Sequence, residues 1–275
     1  MGRLEGKIAI VTGAARGIGE GVVRVMAREG AIVVLTDILD QVHETAKSIR
    51  DQGHKAVSFK MDVTQSAESN DVVKNVLEQF GRVDILHNNA GVGKAGPLID
   101  MTEAVWEGVF AVNVKGPFLC TKAVLPSMIK QRYGRIINTS SVTGPMVADP
   151  GTCAYSATKA ALWGFTRALA CEMAKYGITA NAVLPGWIET PMMTKGAVRG
   201  SPQYPETHLE RLASEIPMGR LGTPEEVGEL VAFLASDEAK YMTGASIVLD
   251  GGANLPETYR GRGKGARKNT DAKNI

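Results

Sequence analysis

The sequence predicts a doubly wound α/β fold, a seven-stranded parallel sheet lying as the middle layer of a three-layer sandwich between helices. Three observations predict it. Short apolar, β-branched segments alternate with helix-patterned stretches through most of the 275 residues, as βαβ units require. The segments are apolar almost continuously rather than at every second residue, so both faces of the sheet should be covered. A glycine-rich turn follows the first segment, just where a helix pattern begins.

The elements follow in order. "KIAIVTG" (7–13) is short, β-branched and closed by glycine, a buried strand. A helix pattern runs from Gly17 to about Gly30 and leads into a second strand, "AIVVLTD" (31–37). "AVSFKMDV" (56–63), "VDILHNNAG" (83–91), "GRIINTSS" (134–141), "ITANAVLPG" (178–186) and "ASIVLDGG" (245–252) complete the seven strands. Residues 187–222 break the rhythm. They hold Trp187, Met192, Met193 and the Gly/Pro-rich "KGAVRGSPQYP", and are too long for a plain helix-to-strand connection, so they read as a substrate loop or lid carrying short helices. The end, "YRGRGKGARKNTDAKNI", has no apolar period and reads as a flexible basic tail. The expected organisation is one domain over 1–255 and a tail over 256–275.

Composition excludes several classes. Hydrophobic residues make up 44% of the chain, and 31 basic against 29 acidic residues leave a net charge of +2. A balance so close to neutral gives no general reason to expect nucleic-acid binding. No run of 18 uncharged apolar residues occurs, so no membrane span is expected. "MGRLEGKIAIVTG" enters a strand pattern at once and leaves no room for a secretory signal. Cys120, Cys153 and Cys171 form no CxxC and read as buried reduced thiols, which suits a cytoplasmic protein. His43, His54, His87 and His208 are scattered, with neither HExxH nor HxH, so no metal site is expected. His87 reads as a packing residue at a strand end.

Two regions carry chemistry. In "TGAARGIGEG", Gly13, Gly17 and Gly19 are spaced GxxxGxG between a strand and a helix. Glycines there let the backbone approach a pyrophosphate, which then sits at the free N–H groups of the helix. Asp37 ends the second strand, 18 residues past Gly19. A carboxylate at that place accepts the ribose hydroxyls of an adenosine and repels a 2′-phosphate, favouring NAD(H). Arg16, between the glycines, could meet that phosphate and keeps NADP(H) open. The second region is "AYSATKAALWGF" (154–165), where Tyr155 and Lys159 lie four apart on one face of a helix. A free tyrosine has a pKa near ~10. An adjacent ammonium and a cationic nicotinamide both favour phenolate, which would let Tyr155 exchange a proton with an alcohol or carbonyl oxygen.

With these motifs in family order, "TGAARGIG", "NNAG" (88–91), Asn113 in "FAVNVKGPF", Ser141 in "NTSSVTG", "YSATK" and "PGWIETPM" (185–192), the chain resembles the short-chain dehydrogenase/reductase family. The resemblance spans residues 4 to about 255 and places the chain in the compact branch of about 250 residues. "VTGPMVADPGTCAY" and "DGGANLPET" narrow it to one group of bacterial oxidoreductases. It implies a Rossmann-type fold and roles carried over residue by residue. Tyr155 is then the acid/base. Lys159 holds the nicotinamide ribose and lowers the tyrosine. Ser141 orients the substrate oxygen, with Ser140 as the adjacent alternative, and Asn113 supports a proton-relay water. Ile18 lies within the phosphate turn. Asn89, Ala90 and Gly91 pack near the adenosine ribose, and Asp62 with Val63 meets the adenine. Pro185, Gly186, Ile188 and Thr190 lie along the carboxamide and the nearby phosphate.

Val142, Met146, Val147, Trp187, Met192 and Met193 are the expected substrate walls. They are apolar, with no paired basic residues for a carboxylate or phosphate. This favours a neutral alcohol or carbonyl, whether steroid-like, aromatic, aliphatic or a small polyol. The helix at 154–176 has a broad apolar side, and the resemblance implies that it pairs across a dimer axis in a homodimer or homotetramer. The rival class is a dinucleotide-sensing regulator without chemistry. Such proteins often lose the tyrosine or the lysine, and this chain has both.

Overall fold

The computed structural model describes residues 2–191 and 205–255. Met192, Met193 and the tail at 256–275 therefore lie outside the described residues. The elements are β1 (Ile8–Thr12), α1 (Gly17–Arg28), β2 (Ile32–Asp37), α2 (Gln41–Asp51), β3 (Ala56–Lys60), α3 (Ser66–Phe80) and β4 (Ile85–Asn88). There follow α4 (Glu103–Phe110), α5 (Gly116–Gln131), β5 (Gly134–Thr139), α6 (Cys153–Met173), β6 (Ile178–Pro185), α7 (Pro205–Glu215), α8 (Pro224–Ala235) and β7 (Ser246–Leu249). Each expected strand is present, trimmed at one or both ends. The helix expected over 154–176 is α6 followed by a 3₁₀ turn, Ala174–Tyr176.

All seven strands pair in parallel in the order β3-β2-β1-β4-β5-β6-β7. The chain thus winds outward from β1 in one direction and from β4 in the other. A crevice opens where the direction reverses, beyond the carboxyl ends of β1 and β4. Gly13 leaves β1 there, and Asn89 leaves β4. Apolar side chains cover both faces of the sheet, which explains the unbroken apolar strands. On one face, Val22 and Met26 of α1, Ile49 of α2 and Val231 of α8 pack on Val11, Ile85 and Ile137. On the other, Val76 of α3, Val124 and Met128 of α5 and Leu169 of α6 pack on Ile10, Leu86 and Ile136.

The helical stretch Glu103–Gln131 is long and apolar enough, by length and composition, to cross a membrane. It is continuous because a π-helical turn, Ala111–Lys115, joins α4 to α5, and its Cys120, Val124 and Met128 are core residues. The insertion at 187–222 begins and ends at one spot. Gly222 donates its N–H to the Trp187 carbonyl and accepts the Glu189 N–H, both at 2.9 Å. The thiols depart from expectation. Cys120 is buried, but Cys153 and Cys171 are exposed, because both fall on the outer face of α6, five helical turns apart.

Candidate active site

The crevice has a cofactor end and a chemistry end. At the first, Gly13 has φ +66°, and a Cβ there would stand 2.7 Å from the Ala90 Cα. A Cβ on Gly19 would stand 2.1 Å from the Gly13 carbonyl oxygen. Only glycine lets this turn fold back on itself and lie against the end of β4. The neighbouring helices begin differently. α8 carries a full capping box, with the Glu226 N–H on the Thr223 hydroxyl at 3.2 Å and the Thr223 N–H on the Glu226 carboxylate at 2.8 Å. α1 begins after Arg16, which is exposed and gives no side-chain cap. Its first-turn N–H groups suit an anionic ligand, as a pyrophosphate site requires. Ile18 packs on the core below, and Thr190 lies over Gly17, 3.5 Å from where its Cβ would be.

Asp37 is fixed by two backbone donors, Ala15 N–H at 3.1 Å and Leu39 N–H at 3.0 Å, one to each carboxylate oxygen. Each oxygen keeps a lone pair for a ribose hydroxyl. Asp62 accepts the Thr64 N–H at 2.9 Å, and Val63 is buried against Gly116. Asn89 donates from Nδ2 to the carbonyls of Thr12 and Gly13, both at 3.1 Å. The Thr12 hydroxyl accepts the N–H groups of Asn89 and Ala90, both at 3.0 Å. Thr12 is a site residue that the sequence reading missed. Its signal was a lone polar residue ending an apolar strand, immediately before the glycines.

At the chemistry end, Tyr155 and Lys159 share one face of α6, with the Lys159 Nζ 5.6 Å from the ring centroid. Lys159 is buried and its ammonium donates to the Thr139 carbonyl at 2.7 Å. Burial pushes it down to about 8. Tyr155 is half-buried. Its burial raises the phenol above its usual value, and the Ser141 hydroxyl opposes that rise. The expected lowering of Tyr155 by Lys159 is therefore not what these side chains give on their own. The ammonium is turned onto a backbone carbonyl, which takes up one of its three N–H donors.

Ser140 and Ser141 divide their tasks. The Ser140 hydroxyl donates to the Lys159 carbonyl at 2.7 Å, bracing α6. Ser141 caps the turn by accepting the Thr143 N–H at 3.1 Å and lies beside Tyr155. Asn113 sits fully buried in the π-helical turn, a feature common at functional positions. It accepts the Val92 N–H at 2.8 Å and donates to the Val92 carbonyl at 2.9 Å and the Thr158 hydroxyl at 3.0 Å. A Cβ on Gly91 would lie 3.5 Å from both the Asn113 Oδ1 and the Lys159 Nζ, so these three converge.

The expected walls are only partly brought together. Met146 and Val147 are exposed, and Trp187 is half-buried. Val142 is buried against Ala182 and Leu184. The Ile188 side chain packs in the core, the Pro185 carbonyl accepts the Val142 N–H at 3.2 Å, and Gly186 lies against Asp250. Among the described residues, no three His, Cys, Asp or Glu side chains are grouped so as to hold a metal ion.

This geometry matches known proteins along nearly its whole length. A family model described as Enoyl-(Acyl carrier protein) reductase matches residues 13–254. Oxidoreductase UcpA of Salmonella typhimurium is 49% identical over 258 residues, 94% of this chain and 98% of that protein. The 3-oxoacyl-[acyl-carrier-protein] reductase FabG of Thermotoga maritima is 43% identical over 251 residues, 91% of this chain and 98% of its own. The crystal structure of a putative gluconate dehydrogenase from Agrobacterium tumefaciens superposes with a TM-score of 0.85 at 32% identity, covering 92% of this chain and 98% of that one. With the glycine turn, the acidic end of β2 and the Tyr155–Lys159 pair set around one crevice, the chain belongs to the short-chain dehydrogenase/reductase family of oxidoreductases.

Proposed function

We propose that the protein is an NAD(P)(H)-dependent oxidoreductase that interconverts a secondary alcohol and its ketone, or an aldehyde, with Tyr155 as the acid/base. The observation that carries this reading is the Tyr155 phenol flanked by the Ser141 hydroxyl, with the buried Lys159 ammonium on the same helical face. Tyr155 takes the proton from the alcohol oxygen in oxidation and returns it to the carbonyl oxygen in reduction. Ser141 orients that oxygen. Lys159 holds the nicotinamide ribose, and Asn113 supports the path that returns the proton to solvent.

The Gly13–Gly19 turn and the open end of α1 hold the pyrophosphate, Asp37 the adenosine ribose, and Asp62 with Val63 the adenine. A bound nicotinamide dinucleotide supplies or accepts the hydride, and its oxidised ring adds a positive charge that favours phenolate. Asp37 favours NAD(H), since a 2′-phosphate would meet a carboxylate held in place by two amides. Arg16, exposed beside the turn, keeps NADP(H) as the alternative. The names of the FabG and gluconate dehydrogenase relatives both describe carbonyl–hydroxyl chemistry, which supports the reaction class. Met146, Val147 and Trp187 favour a neutral substrate.

The outer face of α6, with Trp163 exposed, supports pairing in a homodimer or homotetramer. Light scattering should then give a mass of at least twice 29.2 kDa. A panel of neutral alcohols and ketones, followed by NAD(P)H absorbance, tests the function. Tyr155→Phe should lower kcat by ~10²–10⁴-fold with the fold intact, and unchanged turnover in that variant would reject the assignment.

A further inference from the structure

His87 stands out among the buried groups that the proposed chemistry does not use. It lies in β4 between its cross-strand partners Val11 and Ile137 and is fully buried. Its Nε2 shares a hydrogen bond with the Thr139 hydroxyl at 2.8 Å, and its Nδ1 has no partner. Burial holds the ring neutral, with its pKa down to about 3. A half-satisfied imidazole inside a sheet is costly, and an apolar residue would fill the place better. Packing alone does not account for it.

Thr139 supplies the reason. It is the last residue of β5, one position beyond the Asn88↔Asn138 pair where β4 and β5 part. Its carbonyl oxygen accepts the Lys159 ammonium at 2.7 Å. At such a strand end the peptide loses its β4 partner and keeps its β6 one, the Ser140 N–H on the Val183 carbonyl at 2.9 Å, so the Thr139 side chain is what steadies that carbonyl on the β4 side. The side chain holds His87. His87 is itself braced, since its own carbonyl faces the Thr12 hydroxyl at 3.5 Å, the hydroxyl that carries the Asn89 and Ala90 N–H groups. One chain of contacts thus runs from the exit of β1 through Thr12, His87 and Thr139 to Lys159.

We propose that His87 is a positioning residue which, through the Thr139 hydroxyl, aims the Thr139 carbonyl that anchors the Lys159 ammonium. The inference rests on the role given to Lys159 above. Two readouts test it on the full-length protein with His87→Leu, which keeps the volume and removes the bond, and His87→Gln, which can restore it from the place of Nε2. The first is reductive methylation of the cofactor-free protein, followed at each lysine by mass spectrometry. Lys159 should react at least threefold faster in H87L than in wild type, exposed lysines should not change, and H87Q should return toward wild type. The second is turnover. H87L should lose about fivefold to twentyfold in kcat, H87Q should recover at least half of that on a logarithmic scale, and H87L should add nothing in a Lys159→Met background.

Equal Lys159 reactivity in H87L and wild type would overturn the proposal, as would a loss in H87L that simply multiplies with that of K159M. If H87L does not fold, H87Q and Thr139→Val carry the same comparison, T139V being expected to free Lys159 as H87L does. Should Y155F and K159M leave turnover intact while methylation still tracks His87, the catalytic reading fails and the anchoring stands. Intact turnover and intact Lys159 protection in H87L, with Y155F inactive, sink this inference alone.

Discussion

The two ends of the crevice are made of different material. The cofactor end is backbone: a glycine turn that leaves no room for a Cβ, an uncapped helix start, and a carboxylate fixed by two amides. The chemistry end is side chain: a phenol, a hydroxyl, an ammonium and an amide, mostly buried and bonded to one another's supports. The difference teaches where each end is fragile. A backbone site fails when atoms are added, and the fold suffers with it. A side-chain site fails when atoms are removed, and the fold can survive, since burying those groups was never free.

The largest effect should come from Lys159→Met, which is expected to cost at least ~10²-fold in kcat with little loss of stability at neutral pH. The sign follows from burial. Lys159 sits at about 8 in the fold against 10.5 for the free side chain, so below pH 8 folding carries the full penalty of a buried charge. Between pH 8 and 10.5 the folded lysine has lost its proton while the unfolded one still holds it, and the wild type gains stability. Urea unfolding should show wild type gaining about 3 kcal/mol relative to K159M across that window. A flat difference would place the ammonium in a more polar setting than the structure gives it.

Next in size, Gly19→Ala should destabilise by about 1–3 kcal/mol and abolish NADH fluorescence enhancement, because its Cβ meets the Gly13 carbonyl. Stable folding with dinucleotide binding intact would mean that the turn yields. Asp37→Asn should be smaller. It keeps an oxygen for one amide donor, removes the charge, and should shift the NADP(H)/NAD(H) ratio of kcat/KM upward about tenfold, ~1.4 kcal/mol. The smallest effect is expected of Ser140→Ala, about 1 kcal/mol in stability from one lost hydrogen bond, with kcat within a few-fold of wild type. Ser141→Ala should do the reverse, and equal kcat losses at both serines would erase the division between brace and catalyst.

The backbone end was the more legible in sequence, because its rules are local. A strand, spaced glycines, a helix and an acid can be read as a string. All seven strands were visible for a similar reason, since burial on both faces leaves an unbroken apolar run. The chemistry end was legible only as residue types. Nothing in "YSATK" says that Lys159 turns onto Thr139, or that Ser140 braces the helix and leaves Ser141 by the phenol. Those outcomes depend on how β5 and α6 meet, 20 residues apart. The π-helical turn at Asn113 has no sequence period of its own, and Cys153 and Cys171 were misjudged because small neighbours suggested a core that α6 turns away from. Nor does adjacency on a helix say that burial outweighs Lys159 at the Tyr155 phenol when the protein's own side chains act alone.

The mutual grip of Trp187, Glu189 and Gly222 has a practical consequence. The insertion departs and returns through that clasp and touches the end of β7 again where the Met218 N–H meets the Gly251 carbonyl at 3.2 Å, so its length between those points costs the sheet little. Glu189 and Gly222 are accordingly graft points. Exchanging the chain between them for that of a relative, with Leu212, Ile216 and Met218 kept, should re-address substrate choice while the reaction and the melting temperature stay with the host.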